Sequence, residues 1–158
     1  MDVTRAVKIV RYHAKDYRID ENKIALVGGF AGGIANGRAV LEVGGNINGK
    51  SLDDKYIPDE IDNVSSIANA VIMGYSFYGK LSFTDLNESM FKNFDLPPTY
   101  YVYGTKDPFY NQFESQVDLL HQLNKNIELQ VLDNYPHGFG IRGKWAENVN
   151  QWLDKIYK

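Results

Sequence analysis

Two rhythms of apolar and polar positions alternate along the chain, and together they predict its elements. Val3, Ala6, Val7, Val10, Ala14 and Tyr17 recur at helical spacing on one face, which predicts an amphipathic helix over residues 3–17. Asp2 is placed to cap it, and the polar stretch IDENK then reads as a turn. Residues 24–28 are a short apolar run ending in glycine, the pattern of a strand covered on both faces. A second helix is expected over about 32–42. Residues 44–68, GGNINGKSLDDKYIPDEIDNVSSIA, are polar and rich in turn formers. A connection of that length is usually functional or poorly ordered.

Further strands are expected within 69–79, 96–108 and 127–133, with a short helix between the first two of these. A helix over 113–124 carries Phe113, Val117 and Leu120 on one stripe. Trp145, Val149, Trp152, Leu153 and Ile156 mark an amphipathic helix at the C-terminus. Strands alternating with helices predict an α/β domain with a parallel sheet of about four strands and right-handed crossovers. In such sheets ligands lie beyond the carboxyl ends of the strands. Three distinctive segments fall there: GGFAGG after the first strand, GTKDP after the third and NYPHGFG after the fourth.

Composition narrows the function classes. At 158 residues a single domain, 1–158, is expected, long enough for a core of its own. A net charge of -3 with no basic stripe argues against nucleic acid as a partner. No apolar run approaches the roughly 20 residues that span a bilayer, so no membrane partner is expected. The N-terminal segment lacks the apolar stretch of a secretory signal. Cysteine is absent, which excludes disulfides and thiolate metal sites and fits a cytoplasmic location. The acidic run Asp53, Asp54, Asp59, Glu60 and Asp62 lacks calcium-loop spacing and contains a proline, so it reads as a solvated loop. No metal and no cofactor is expected.

The chemistry-bearing pair is Asp107 and His137. Each directly follows a predicted strand, and one αβ unit separates them. An acid and then a histidine on successive strand ends is the chain order of an α/β-hydrolase triad. A carboxylate bonded to one imidazole nitrogen fixes the tautomer and leaves the other nitrogen as general base. Pro136 and Gly138 would let the loop turn sharply enough to present the ring. Alone, Asp107 reads as a turn former or helix cap, and His137 as a structural loop histidine. Together, in order and at strand ends, they read as triad positions.

From residue 2 to 158 the sequence resembles the C-terminal part of a small α/β-hydrolase esterase of the acetyl-esterase and acetylxylan-esterase-like group. AVKIVRYHAKDYRIDENKIALVG is similar to the helix and strand that lead into the nucleophile elbow. PPT before a strand, G-x-x-D after it and P-H-G-F at the end resemble the segment that carries acid and base. The resemblance implies a truncated three-layer α/β-hydrolase-like sandwich, with Asp107 as triad acid and His137 as triad base. It also implies a G-x-S-x-G elbow whose serine attacks an ester carbonyl. The matching stretch here is Gly28-Gly29-Phe30-Ala31-Gly32, with Phe30 at the nucleophile's position. The Ala31 N–H remains as one oxyanion donor. The family's early strands, and the segment supplying the second donor, are expected before residue 2.

The expectation is therefore an esterase-like chain for short acyl or acetylated-sugar esters that has lost its nucleophile and is inactive or weakly active. The alternative is a non-catalytic binding or assembly module that reuses the cleft. Ser76, Phe77, Tyr78 and Phe109 are expected to line it, with Tyr75, Tyr110 and Phe139 near the same sheet edge. Ser76 sits in G-x-S-x-x-G rather than an elbow, and reads as a buried serine bonded to backbone, not as a substitute nucleophile. His13 and His121 read as surface residues. The glycines at 28, 29, 32 and 33 do not meet the dinucleotide pattern G-x-G-x-x-G. Without the early strands, strand 24–28 would be an apolar edge that recruits a second copy or a complementary chain.

Overall fold

The computed structural model describes residues 2–43, 49–51 and 53–158. Four strands form one parallel sheet: β1 (Ala25–Gly29), β2 (Ala70–Gly74), β5 (Thr99–Lys106) and β6 (Ile127–Pro136), in the order β1-β2-β5-β6. Helices α3 (Ala31–Val43), α4 (Glu88–Asn93), α5 (Tyr110–Gln122) and α6 (Trp145–Ile156) connect or follow the strands. The period-two geometry of a strand sends neighbouring side chains to opposite faces. Val71 and Met73 of β2, with Tyr101 and Tyr103 of β5, meet Ile34 of α3 and Phe113, Val117 and Leu120 of α5. Ala70, Ile72, Tyr100 and Val102 face the other way and meet Val149 and Trp152 of α6. The result is three layers, with every residue of β2 buried.

The predicted helix over 3–17 is two pieces, α1 (Asp2–Tyr12) and α2 (Ala14–Tyr17). The break falls at His13, and Arg18 closes the second piece in the left-handed conformation. Asp2 is the first helical residue, not the cap. Within the polar segment 44–68, residues 44–48 and 52 lie outside the described residues. The rest is an ordered strap with 3-10 turns at Gly49–Ser51 and Glu60–Asn63. Several of its polar groups are held by α1 or by one another. Asp59 and Asp62 form a reciprocal capping box, Lys8 Nζ donates to the Asp62 carbonyl at 2.8 Å, and Arg11 donates to the carbonyls of Ser65 and Ile67. α1 thus supplies the cations that hold the strap.

A hairpin not anticipated from the sequence, β3 (Gly79–Lys80) and β4 (Phe83–Thr84), follows β2. Gln112 at the start of α5 accepts from the Thr84 N–H at 2.9 Å and secures it. Strand β5 ends at Lys106, within the expected 96–108, whereas β6 runs beyond the expected 133 to Pro136.

Candidate active site

The turn after β1 is tight. Gly28 approaches the next helix so closely that a Cβ there would lie 2.5 Å from the Gly32 and Gly33 backbone. A Cβ on Gly33 would lie 2.5 Å from the Ser76 Cβ. Between them Phe30 takes φ of 47°, a left-handed conformation that costs an L-residue about 1–2 kcal/mol. Three hydrogen bonds pin it. The Phe30 N–H donates to the Gly74 carbonyl at 3.1 Å, while the Phe30 carbonyl accepts from the Ile34 N–H at 3.1 Å and from Ser76 Oγ at 2.8 Å. Strand, strained residue and helix in immediate succession make the geometry of a nucleophile elbow.

Asp107 follows β5 at the start of the turn into α5. Its side chain is fully buried and does two things at once. Oδ1 accepts from the Phe109 N–H at 2.9 Å, and Oδ2 meets His137 Nδ1 at 2.7 Å. One oxygen thus holds the turn and the other holds the imidazole. His137 arrives from β6, which falls out of step with β5 between Gly104 and Lys106. Asn134, at φ 62°, donates its N–H to Thr105 Oγ1 in this irregularity. Such a bulge re-aims the chain that follows, and Gly138, at φ 70°, turns it over Asp107.

An ionised carboxylate only accepts, so Nδ1 carries the proton and Nε2 is the ring's second functional atom. His137 Nε2 is buried and has no hydrogen-bond partner. Aromatic rings surround the imidazole. Phe30 stands edge-to-face with it at 4.8 Å between centroids, Tyr75 at 5.2 Å and Phe109 at 5.7 Å. Phe30 also stacks on Phe109 at 6.4 Å. The ring at the elbow thus packs directly against the imidazole.

The remaining site expectations separate. Ala31 is the first residue of α3, so its N–H has no carbonyl partner within the helix. Ser76 is buried, with its hydroxyl on the Phe30 carbonyl. Phe77 packs on Phe109 and Phe113, one ring away from the imidazole. Tyr78 belongs to the core: its ring packs on Phe91 and Tyr101, and its hydroxyl meets Thr99 Oγ1 at 2.8 Å. Burial pushes that phenol well above its usual range. Tyr75 touches the imidazole more directly than Ser76, Phe77 or Tyr78. Its position immediately after the all-apolar strand β2 was the available signal.

No family model and no curated protein matches the sequence. Solved structures match in shape. Thermogutta terrifontis esterase 2 phosphoramylated by tabun superposes with a TM-score of 0.71 at 22% identity, covering 98% of this chain and 63% of that one. The propionate-bound form gives 0.71 at 23%, covering 98% and 64%. An acetyl ester-xyloside bifunctional hydrolase from Caldicellulosiruptor lactoaceticus gives 0.72 at 19%, again covering 98% and 64%. The chain therefore has the fold of part of the α/β-hydrolase esterases. It spans just under two thirds of the length of these structures.

Proposed function

We propose that this chain is a non-hydrolytic relative of the α/β-hydrolase esterases, one that keeps an acid–histidine pair beside an elbow without a nucleophile. The observation that carries the reading is Phe30. It holds the strained elbow conformation, and its ring lies edge-to-face on His137. Ester cleavage through a covalent intermediate needs a lone pair at the elbow to attack the carbonyl. A phenyl ring has none. Attack by a water activated at His137 needs that water at Nε2, and this atom is buried without a partner. Ser76 does not take over, because its hydroxyl is buried against the Phe30 carbonyl.

What remains is a cluster of aromatic rings, Phe30, Tyr75 and Phe109, around the His137 imidazole. This supports the second reading, a binding module for small esters or acetylated sugars, because flat apolar rings suit acyl groups and sugar faces. The expected result with short-chain p-nitrophenyl esters is no burst and no turnover above buffer. A fluorophosphonate serine probe should leave the protein unlabelled. Turnover that disappears in His137→Ala, or labelling at Ser76, would overturn the proposal.

The reading extends to assembly. β1 pairs only with β2 among the described residues, and Val27 on it is 59% exposed. An apolar strand edge without charge or proline takes up another strand. A second copy or a complementary segment is the expected occupant. Sedimentation should register association that rises with concentration and falls in Val27→Lys. A monomer at high concentration in both proteins would refute it.

A further inference from the structure

At the end of the sheet opposite Asp107 and His137, a cavity of about 370 Å3 opens between α1, α3 and the segments that lead into β2 and β5. Its wall is mostly apolar, with Val3 and Val7 from α1, Leu26 from β1, Val40 from α3, and Ile67 and Phe94 from the two segments. Ser66 also lines it. This serine is 8% exposed, and its Oγ is buried without a hydrogen-bond partner. Asn93 and Asp95 are the exposed polar residues of the lining, which includes no Lys, Arg or His among the described residues.

We propose that this cavity binds a neutral small molecule with an apolar chain and a single hydroxyl, an aliphatic alcohol in chemical class. Its volume lies in the range of about 300–1,000 Å3 typical of small-molecule sites, which are likewise mostly apolar with few polar groups. The unpartnered hydroxyl of Ser66 is the polar group available inside. A serine side chain has three staggered wells, so rotation about χ1 turns Oγ from the wall toward a bound head group. A buried polar atom left without a partner costs free energy that such a ligand recovers. A carboxylate head is disfavoured, since Asp95 repels it and no cation in the lining compensates. An ammonium head gains little from an exposed aspartate and loses its hydration in an apolar wall. The site uses neither Phe30 nor His137, so it stands or falls apart from the esterase reading.

The test is a titration of the full chain with octanol, followed by methyl NMR. Shifts are expected at Val3, Val7, Leu26 and Val40. Octanoate should bind at least about tenfold more weakly. Ser66→Ala should weaken octanol binding about five- to tenfold, the worth of one buried hydrogen bond. The same variant should keep or raise Tm without ligand, because it removes an unsatisfied hydroxyl. Ala39→Phe, which fills the cavity from α3, should abolish the shifts. The proposal is overturned by an absence of methyl shifts up to the solubility of octanol, or by equal octanol affinity in wild type and Ser66→Ala. It is equally overturned by shifts centred on Tyr75 and Phe109, or by contacts in the free protein that put another part of the chain inside the cavity.

Discussion

Asp107 concentrates two tasks in one buried carboxylate, and its removal tests both. Asp107→Ala would strip the acceptors from His137 Nδ1 and from the Phe109 N–H. Leaving buried donors unpaired costs about 1–3 kcal/mol, so urea unfolding should lose roughly that much. On the proposed non-hydrolytic reading, the rate of ester cleavage should not change. A drop in stability without a drop in activity is what separates a retained scaffold from a working triad. The pair was legible in the sequence because both residues follow strands, and strand ends converge in a parallel sheet. The burial of Nε2 was not legible. It depends on the elbow's φ and on where the Phe30 ring lies, and no spacing rule carries either. Tyr78 was likewise mistaken for a cleft residue. Position along the chain put it near the sheet edge, whereas its side chain is fully buried and its hydroxyl meets Thr99.

At the scale of elements, helices and strands were readable wherever apolar periodicity was strong. The short hairpin β3–β4 has too few residues to show a period. It is held by side chains from a distant helix. Gln116 of α5 is fully buried, accepts from the Tyr78 N–H and the Tyr101 hydroxyl, and donates to the carbonyls of Tyr78 and Asp85. Gln116→Ala would leave this polar ring unsatisfied in the core. A loss of about 2–4 kcal/mol in a denaturant titration is expected. The strap around residues 59–64 was read as a solvated loop, because its partners lie on α1, more than forty residues away. A hydrogen bond from Arg5 holds the Asp59 carboxyl below its usual 3.8. Its contribution is therefore present above that value and lost as pH falls through the lowered one. Hydrogen exchange at Ile61, whose N–H donates to Asp59, should accelerate in that acid window.

For the molecule as a whole, the tyrosine-rich core sets an alkaline limit. Burial pushes the Tyr100 phenol up to about 12, and pushes Tyr78, Tyr101 and Tyr103 up as well. Each is raised above an unfolded value of 10. Their contribution is complete below 10 and is lost as pH rises toward the folded values. Of the eleven tyrosines, these four should add their tyrosinate absorbance only past pH 10, together with the loss of far-ultraviolet circular dichroism. The full tyrosinate signal near pH 10 in a chain still folded would contradict this. None of the described helices is long and apolar enough to cross a membrane.

The turn between β1 and α3 has a consequence for how such a chain changes over generations. Replacing a serine by phenylalanine takes one substitution and removes the attacking atom. Dismantling the turn is far harder. Any side chain at Gly28 strikes backbone at 2.5 Å, and one at Gly33 strikes Ser76. Ser76 in turn grips the Phe30 carbonyl. On the proposed reading, chemistry is lost at position 30 in a single step, whereas the shape of the turn is locked by neighbours that must all move together. A lineage descending from this sequence should therefore vary freely at position 30 long before it varies at 28 or 33.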